Sequence, residues 1–324
     1  LHILMIYIET CLCMLFTANP NIVKEESKIV GGHVAKPFSH PYMVSLQTRL
    51  FYMRMHICGG SLLNERFILS AAHCATESWL IRWLPMDAVA GAHYINRYQA
   101  PTQVIPIGER ITHPLYTGGL GAHDIAMFKT INAFKFTRAV QPIKLSTNYN
   151  YKSNDEMLKL AGWGALRTTT FIPDMPTLLR EVDVTYVPYN DCFRYIDNLK
   201  DQNEANPLDE NANICTGPIT GGIAACVGDS GGPLVRIRTE NVIVPNDEVE
   251  QSTEEFNATL YDCPNPDQNE KEEPRIVKQK TRPETFLLGV VSWGVSPCGE
   301  RGAPTVYTNV TTYLNFINYN LEHS

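Results

Sequence analysis

One serine in the chain sits in a run suited to nucleophilic chemistry, Gly228-Asp229-Ser230-Gly231-Gly232-Pro233. Glycines on both sides let the backbone come close to a substrate. A serine hydroxyl is a weak nucleophile until a neighbouring base takes its proton. That base, if an imidazole, needs a carboxylate to hold its tautomer. The sequence supplies both residue types. Ala71-Ala72-His73-Cys74 puts a histidine beside a cysteine that can pin it, and His123-Asp124-Ile125-Ala126-Met127 puts an aspartate at the head of an apolar run. Taken singly, each has a plainer reading: an isolated histidine is more often a packed or surface residue, and an aspartate before a strand is more often a turn residue.

The elements that must position these residues read as strands. From Ile29 onward, short β-branched and aromatic runs are separated by Gly, Pro and Asn, an all-β pattern. Candidate strands are Tyr42–Gln47, Arg66–Ser70, Ile125–Lys129, Met157–Gly162, Gly232–Ile237 and Phe286–Trp293. Only the C-terminus reads helical, where Val310, Tyr313, Leu314, Ile317 and Leu321 recur at three- and four-residue steps. Residues 198–213 read as a polar loop, and no repeat period stands out.

Charge is unevenly placed. Residues 239–273 hold eleven carboxylates against the single base Lys271, a local charge of −10 in a chain whose total is −7. Acidity confined to one segment gives no reason to expect a nucleic acid or a membrane surface as partner. The stretch 239–283 reads as a disordered surface insertion, tolerated because long loops add little closure entropy. It carries the glycosylation sequon at Asn257; a second lies at Asn309. Nine cysteines lack the repeated short spacings of a four-ligand zinc site, so disulfides and an oxidising compartment are expected. The apolar segment 1–18 reads as a signal peptide, which makes the protein secreted and extracellular.

Five motifs in fixed order now bear on one another: Ile29-Val30-Gly31-Gly32, Ala71-Ala72-His73-Cys74, Asp124-Ile125-Ala126-Met127, Gly228-Asp229-Ser230-Gly231-Gly232-Pro233 and Ser292-Trp293-Gly294, with Gly162-Trp163-Gly164 between them. From Ile29 to the C-terminus the chain resembles the chymotrypsin-like (trypsin-fold) serine peptidases. The resemblance implies two packed six-stranded antiparallel β-barrels with a C-terminal α-helix and the active site between them. It implies His73, Asp124 and Ser230 as catalytic triad, with backbone N–H groups of Gly228 and Ser230 forming the oxyanion hole. Residues 19–28 become an activation propeptide. Cleavage after Lys28 by a trypsin-like protease would free the Ile29 ammonium to pair with Asp229, and the uncut chain would be a zymogen. The implied disulfides are Cys58–Cys74, Cys192–Cys215 and Cys226–Cys298, leaving Cys263 without an evident partner.

The same resemblance places Ala224 and Ala225 at the base of the substrate pocket, Ser292, Trp293 and Gly294 on the edge strand that pairs with the substrate backbone, with Gly294 leaving one wall of the pocket open, and Thr305 where it narrows the space. No charge waits at Ala224, so the residue before the scissile bond is expected to be apolar, small or medium before large aromatic. The loop Ala92-His93-Tyr94-Ile95-Asn96 lacks the carboxylates calcium would need, and no metal or cofactor is expected. Expected partners of this monomer are protein or peptide substrates, the activating protease and protein inhibitors. The rival reading is a catalytically silent homologue acting as a binding or regulatory module.

Overall fold

The computed structural model describes residues 31–51, 53–76, 83–147, 158–166, 174–201, 203–242 and 280–323. Segments 1–18 and 19–28, Lys28, Ile29, Asn257 and Cys263 lie outside the described residues.

Strands follow in chain order: β1 (His33–Val34), β2 (Met43–Leu50), β3 (Met53–Leu62), β4 (Phe67–Ser70), β5 (Met86–Ala90), β6 (Gln103–Thr112), β7 (Ala126–Thr130), β8 (Lys144–Leu145), β9 (Leu158–Gly162), β10 (Arg180–Val187), β11 (Asn213–Gly217), β12 (Pro233–Val242), β13 (Lys280–Gly294) and β14 (Thr305–Asn309). The first six-stranded barrel closes in the order β2-β3-β4-β7-β6-β5, with β5 returning to β2. The second runs β9-β10-β11-β14-β13-β12 and closes where β12 meets β9. β1 lies on β10, and β8 pairs with β13 in parallel. Closure removes the exposed edges that open antiparallel sheets must otherwise protect.

Side-chain pattern explains which faces turn inward. Along β10, Arg180, Val182, Val184 and Val187 are buried while Asp183 and Thr185 are exposed, close to the period of two expected for a strand with one solvated face. Val182 and Val184 join Leu158, Leu160, Ile214, Leu234, Leu288 and Tyr307 in the core of the second barrel. The first core holds Val44, Leu46, Leu62, Ile68, Ile125 and Phe128, and it also takes in Val310, Tyr313 and Ile317 from the C-terminus. A 3-10 turn (Val310–Tyr313) and helix α3 (Leu314–His323, counted after the two below) therefore pack on the barrel to which they do not belong in sequence. Among the described residues, no helix is long and apolar enough to cross a membrane.

Three expectations are corrected. The C-terminal helix is not alone: besides the short turn α1 (His73–Thr76), helix α2 spans Tyr189–Leu199. Its signal was Tyr189, Cys192, Phe193 and Ile196 at three- and four-residue steps, with Cys192 and Ile196 buried. The acidic insertion is shorter than 239–283, because β12 continues to Val242 and β13 starts at Lys280, paired from Thr239↔Pro283 to Val242↔Lys280. Asn309 does not suit a glycan: it is 3% exposed, its amide donates to the Asn211 carbonyl, and its Oδ1 accepts from Thr311 N–H and Oγ1.

Candidate active site

His73 opens α1 directly after β4, and Cys74 ties that turn to β3 through its disulfide with Cys58. Asp124 stands two residues before β7, at the other side of the same barrel edge. Its carboxylate meets His73 twice: Oδ2 lies 2.8 Å from Nδ1, and Oδ1 accepts the His73 backbone N–H at 2.9 Å. A carboxylate only accepts, so Nδ1 carries the proton and Nε2 is the basic nitrogen of the neutral ring. Both residues are buried, and that limits competition from water.

Two hydroxyls from the second barrel complete the aspartate's surroundings. Thr308 Oγ1 donates to the Asp124 carbonyl at 2.7 Å, and Ser292 Oγ donates to Oδ2 at 2.6 Å. Ser292 can do so because β13 bulges there: Val291 pairs with Tyr307 and Trp293 with Val306, leaving Ser292 without a cross-strand partner. A bulge re-aims one side chain out of the alternating pattern. The sequence reading put Ser292 on the substrate-binding strand and missed this contact.

Ser230 lies in the turn before β12. It lines a cleft of ≈ 250 Å³ together with His73, Ala225, Val291, Trp293, Gly294 and the Cys226–Cys298 disulfide. His73 is the only ionisable side chain among the lining residues described. At Gly294 an added Cβ would find no atom nearer than 3.9 Å, so that wall is open. Ala224 and Thr305 are both buried, and the Thr305 hydroxyl accepts the Ala225 N–H at 3.2 Å.

Backbone geometry around Ser230 is set by opposing hydrogen bonds. The Val227 carbonyl accepts from Ala165 N–H at 2.7 Å, and the Asp229 carbonyl accepts from Gly232 N–H at 2.9 Å. In a trans peptide N–H and C=O point opposite ways, so the N–H groups of Gly228 and Ser230 are directed away from those partners. The Gly228 carbonyl is held in turn by His56 Nε2–H at 2.8 Å, while Ser45 Oγ donates to His56 Nδ1 at 2.8 Å. Burial lowers His56 to about 4, against the raising effect of its bond to Gly228. The ring is neutral at neutral pH. The sequence reading did not single out His56; its position two residues before Cys58 on β3 carries no signal by itself.

Asp229 is buried with both its oxygens engaged: Oδ1 accepts Gly164 N–H at 2.8 Å and Oδ2 accepts Cys226 N–H at 3.0 Å. Only glycine fits at 164, since a Cβ there would lie 2.2 Å from the carboxyl group. Burial raises Asp229 to about 6, and the two N–H donors offset part of that rise. All three expected disulfides are formed. Among the described residues, Cys58, His73 and Cys74 are the one group near enough together to suggest metal ligation, but both sulfurs belong to the disulfide.

A family model described as Trypsin matches residues 29–254 and 274–317, with its break inside the acidic stretch between β12 and β13. The chain is 36% identical to granzyme-like protein 1 of Rattus norvegicus over 225 residues, 69% of this chain and 83% of that protein. It is 34% identical to duodenase-1 of Bos taurus over 226 residues, 69% and 81% of the two chains. Lectizyme of Glossina austeni is 29% identical over 330 residues of alignment, 97% of this chain and 95% of that protein.

Proposed function

The chain belongs to the trypsin family of serine peptidases, and from that membership we propose a secreted serine endopeptidase, made as a zymogen, that cleaves after apolar residues with Ser230, His73 and Asp124 as its triad. The observation that carries the reading is the His73 ring held through Nδ1 on Asp124 at 2.8 Å, in the cleft that Ser230 also lines.

In this reading Ser230 Oγ forms a bond to the scissile carbonyl carbon as His73 Nε2 takes its proton. The carbonyl electrons move onto oxygen, and the N–H groups of Gly228 and Ser230 bind the resulting anion. Collapse of the tetrahedral intermediate expels the amine, which receives the proton from His73. Water, activated by the same imidazole, then releases the acyl group and restores Ser230. Asp124 stays ionised throughout and stabilises the imidazolium. Ser292–Gly294 lack a β12 partner, because that pairing ends at Pro233↔Val290, and they offer a strand edge to the substrate backbone.

Activation rests on the segment just beyond Lys28 and Ile29. Gly31 adopts φ +83°, and a Cβ there would sit 2.3 Å from the Gly222 carbonyl oxygen. The Gly32 carbonyl accepts from Arg180 at 2.7 Å, and β1 pairs with β10 beyond it. Glu181 on β10 faces both His33 and His40; its bond to His40 is the main reason the carboxyl is held down at about 2. Residues 31–34 are thus seated on the second barrel, with Gly31 beside Gly222. A new Ile29 ammonium reaching Asp229 would satisfy a carboxyl whose burial alone is unfavourable. An activating protease of trypsin-like specificity and protein inhibitors are the partners this reading requires besides the substrate.

The pocket supports apolar specificity because, among the described residues that line it, His73 alone is ionisable. A peptide library varied at the residue before the scissile bond tests this, using protein cut after Lys28, with uncut protein and Ser230→Ala as controls. Cleavage after Ala, Val, Leu or Phe, lost in both controls, is the expected result. Cleavage after Lys or Arg would refute the pocket reading. A folded, cut protein that cleaves nothing would make a silent binding module the better account.

A further inference from the structure

The residue before Asp124 is strained, and the C-terminal segment holds it. His123 has φ +66°, a conformation that side chains with a Cβ adopt rarely. Its backbone N–H donates to Tyr313 Oη at 2.9 Å, and its carbonyl accepts the Ile125 N–H at 2.8 Å. The next carbonyl, that of Asp124 itself, accepts from Thr308 Oγ1 at 2.7 Å. Backbone groups on both sides of the carboxylate are therefore fixed by hydroxyls from one stretch of chain, Thr308–Tyr313.

Tyr313 is suited to this task. It is 4% exposed and sits at the end of the 3-10 turn, whose start is capped by Asn309. Its oxygen accepts from the His123 backbone, so its own proton is available to His123 Nδ1, 3.1 Å away. The imidazole of His113, directly after β6, stacks on His123 at 4.9 Å with planes 7° apart, and Phe316 of α3 meets His113 edge-on at 5.0 Å. Tyr313 thus reaches both the main chain and the side chain of one residue whose own freedom is limited by packing.

We propose that Tyr313, assisted by Thr308, is a positioning residue for Asp124: it holds the strained His123 so that the carboxylate stands where His73 and Ser292 meet it. The proposal rests on Asp124 being the triad acid. Tyr313 touches neither substrate nor reacting atoms and acts through the backbone. Removing the hydroxyl leaves a buried N–H without a partner, and this favours relaxation of the 123–124 peptide away from its present geometry.

The test is a double-mutant cycle on the full chain cut after Lys28, with active sites counted by titration. Tyr313→Phe is expected to lower kcat about five- to twenty-fold while KM stays within about two-fold, since the loss concerns transition-state charge and leaves substrate contacts alone. In an Asp124→Asn background the same substitution should change kcat less than two-fold, because there is no carboxylate left to position. An unchanged kcat in the first background overturns the proposal, as does an equal loss in both, which would mark a purely structural role. Should Tyr313→Phe fail to fold by circular dichroism, Thr308→Val is put through the same cycle and decides by the same criteria. The underlying reading fails separately, and visibly, if the cut parent protein has no activity or if Asp124→Asn alone leaves kcat intact.

Discussion

Ser292 Oγ donates at 2.6 Å to Asp124 Oδ2, the same carboxylate oxygen that faces His73 Nδ1 at 2.8 Å. One oxygen therefore bears the imidazole and a hydroxyl from the opposite barrel. Ser292→Ala removes a hydrogen bond to a charged group, worth about 1.5–3 kcal/mol at a buried site. The expected outcome is a loss of about ten-fold in kcat/KM, mostly in kcat, measured on the cut enzyme. An unchanged kcat would show that Asp124 is held well enough without it.

His56 holds the Gly228 carbonyl, and burial lowers its ring to about 4. Its folded value is below the ordinary 6.5, so the stability it contributes is present above that ordinary value. It is lost as pH falls from about 6.5 through 4. His56→Gln should flatten this part of the acid-denaturation curve by up to about 3 kcal/mol. It should also lower kcat by releasing the peptide that carries the Gly228 N–H. Urea titrations at pH 4 and pH 7 measure the first effect.

Asp229 runs the other way. Burial raises it to about 6, above the ordinary 3.8, so its favourable contribution exists below that ordinary value and is lost as pH rises through 6. In the uncut chain, Asp229→Asn should therefore raise stability at pH 7 relative to pH 4 by up to about 3 kcal/mol. In the cut chain the same change should abolish activity, since in the proposed activation the Ile29 ammonium would lose its counter-charge. Thermal melts of both forms, paired with activity assays, separate the two effects.

Gly294 gives a direct handle on the pocket. A Cβ there meets nothing closer than the Pro304 carbonyl oxygen at 3.9 Å, so Gly294→Val folds without a clash but partly fills the cleft. Cleavage after Phe should fall at least about ten-fold relative to cleavage after Ala, within the range that pocket shape alone can discriminate. Equal losses for both residues would mean that Gly294 acts on the substrate backbone and not on its side chain.

The proposed triad residues stood out in the sequence because each stands in a short run of its own, with neighbours such as Cys74 or the glycines around Ser230 that add information locally. The two barrels were legible at the level of class, since strand-length apolar runs survive in the sequence whatever their partners. What sequence could not show was set by distant partners. Nothing near Ser292 says that β13 slips register against β14 at that point. Asn309 reads as a sequon from its two neighbours alone, whereas its burial is imposed by Asn211, ninety-eight positions away. Helix α2 escaped because only three turns with a narrow buried stripe lie between polar residues.

Strands β12 and β13 begin and end their long pairing at opposite extremes. Pro233 is three residues from Ser230, while Val242 and Lys280 close the ladder ten residues along β12, about 30 Å away at ~3.3 Å per residue. That remote end is a port. An insertion or a grafted reporter joined between Val242 and Lys280 enters the chain where the ladder ends, far from Pro233, and so has little leverage on the turn that holds Ser230.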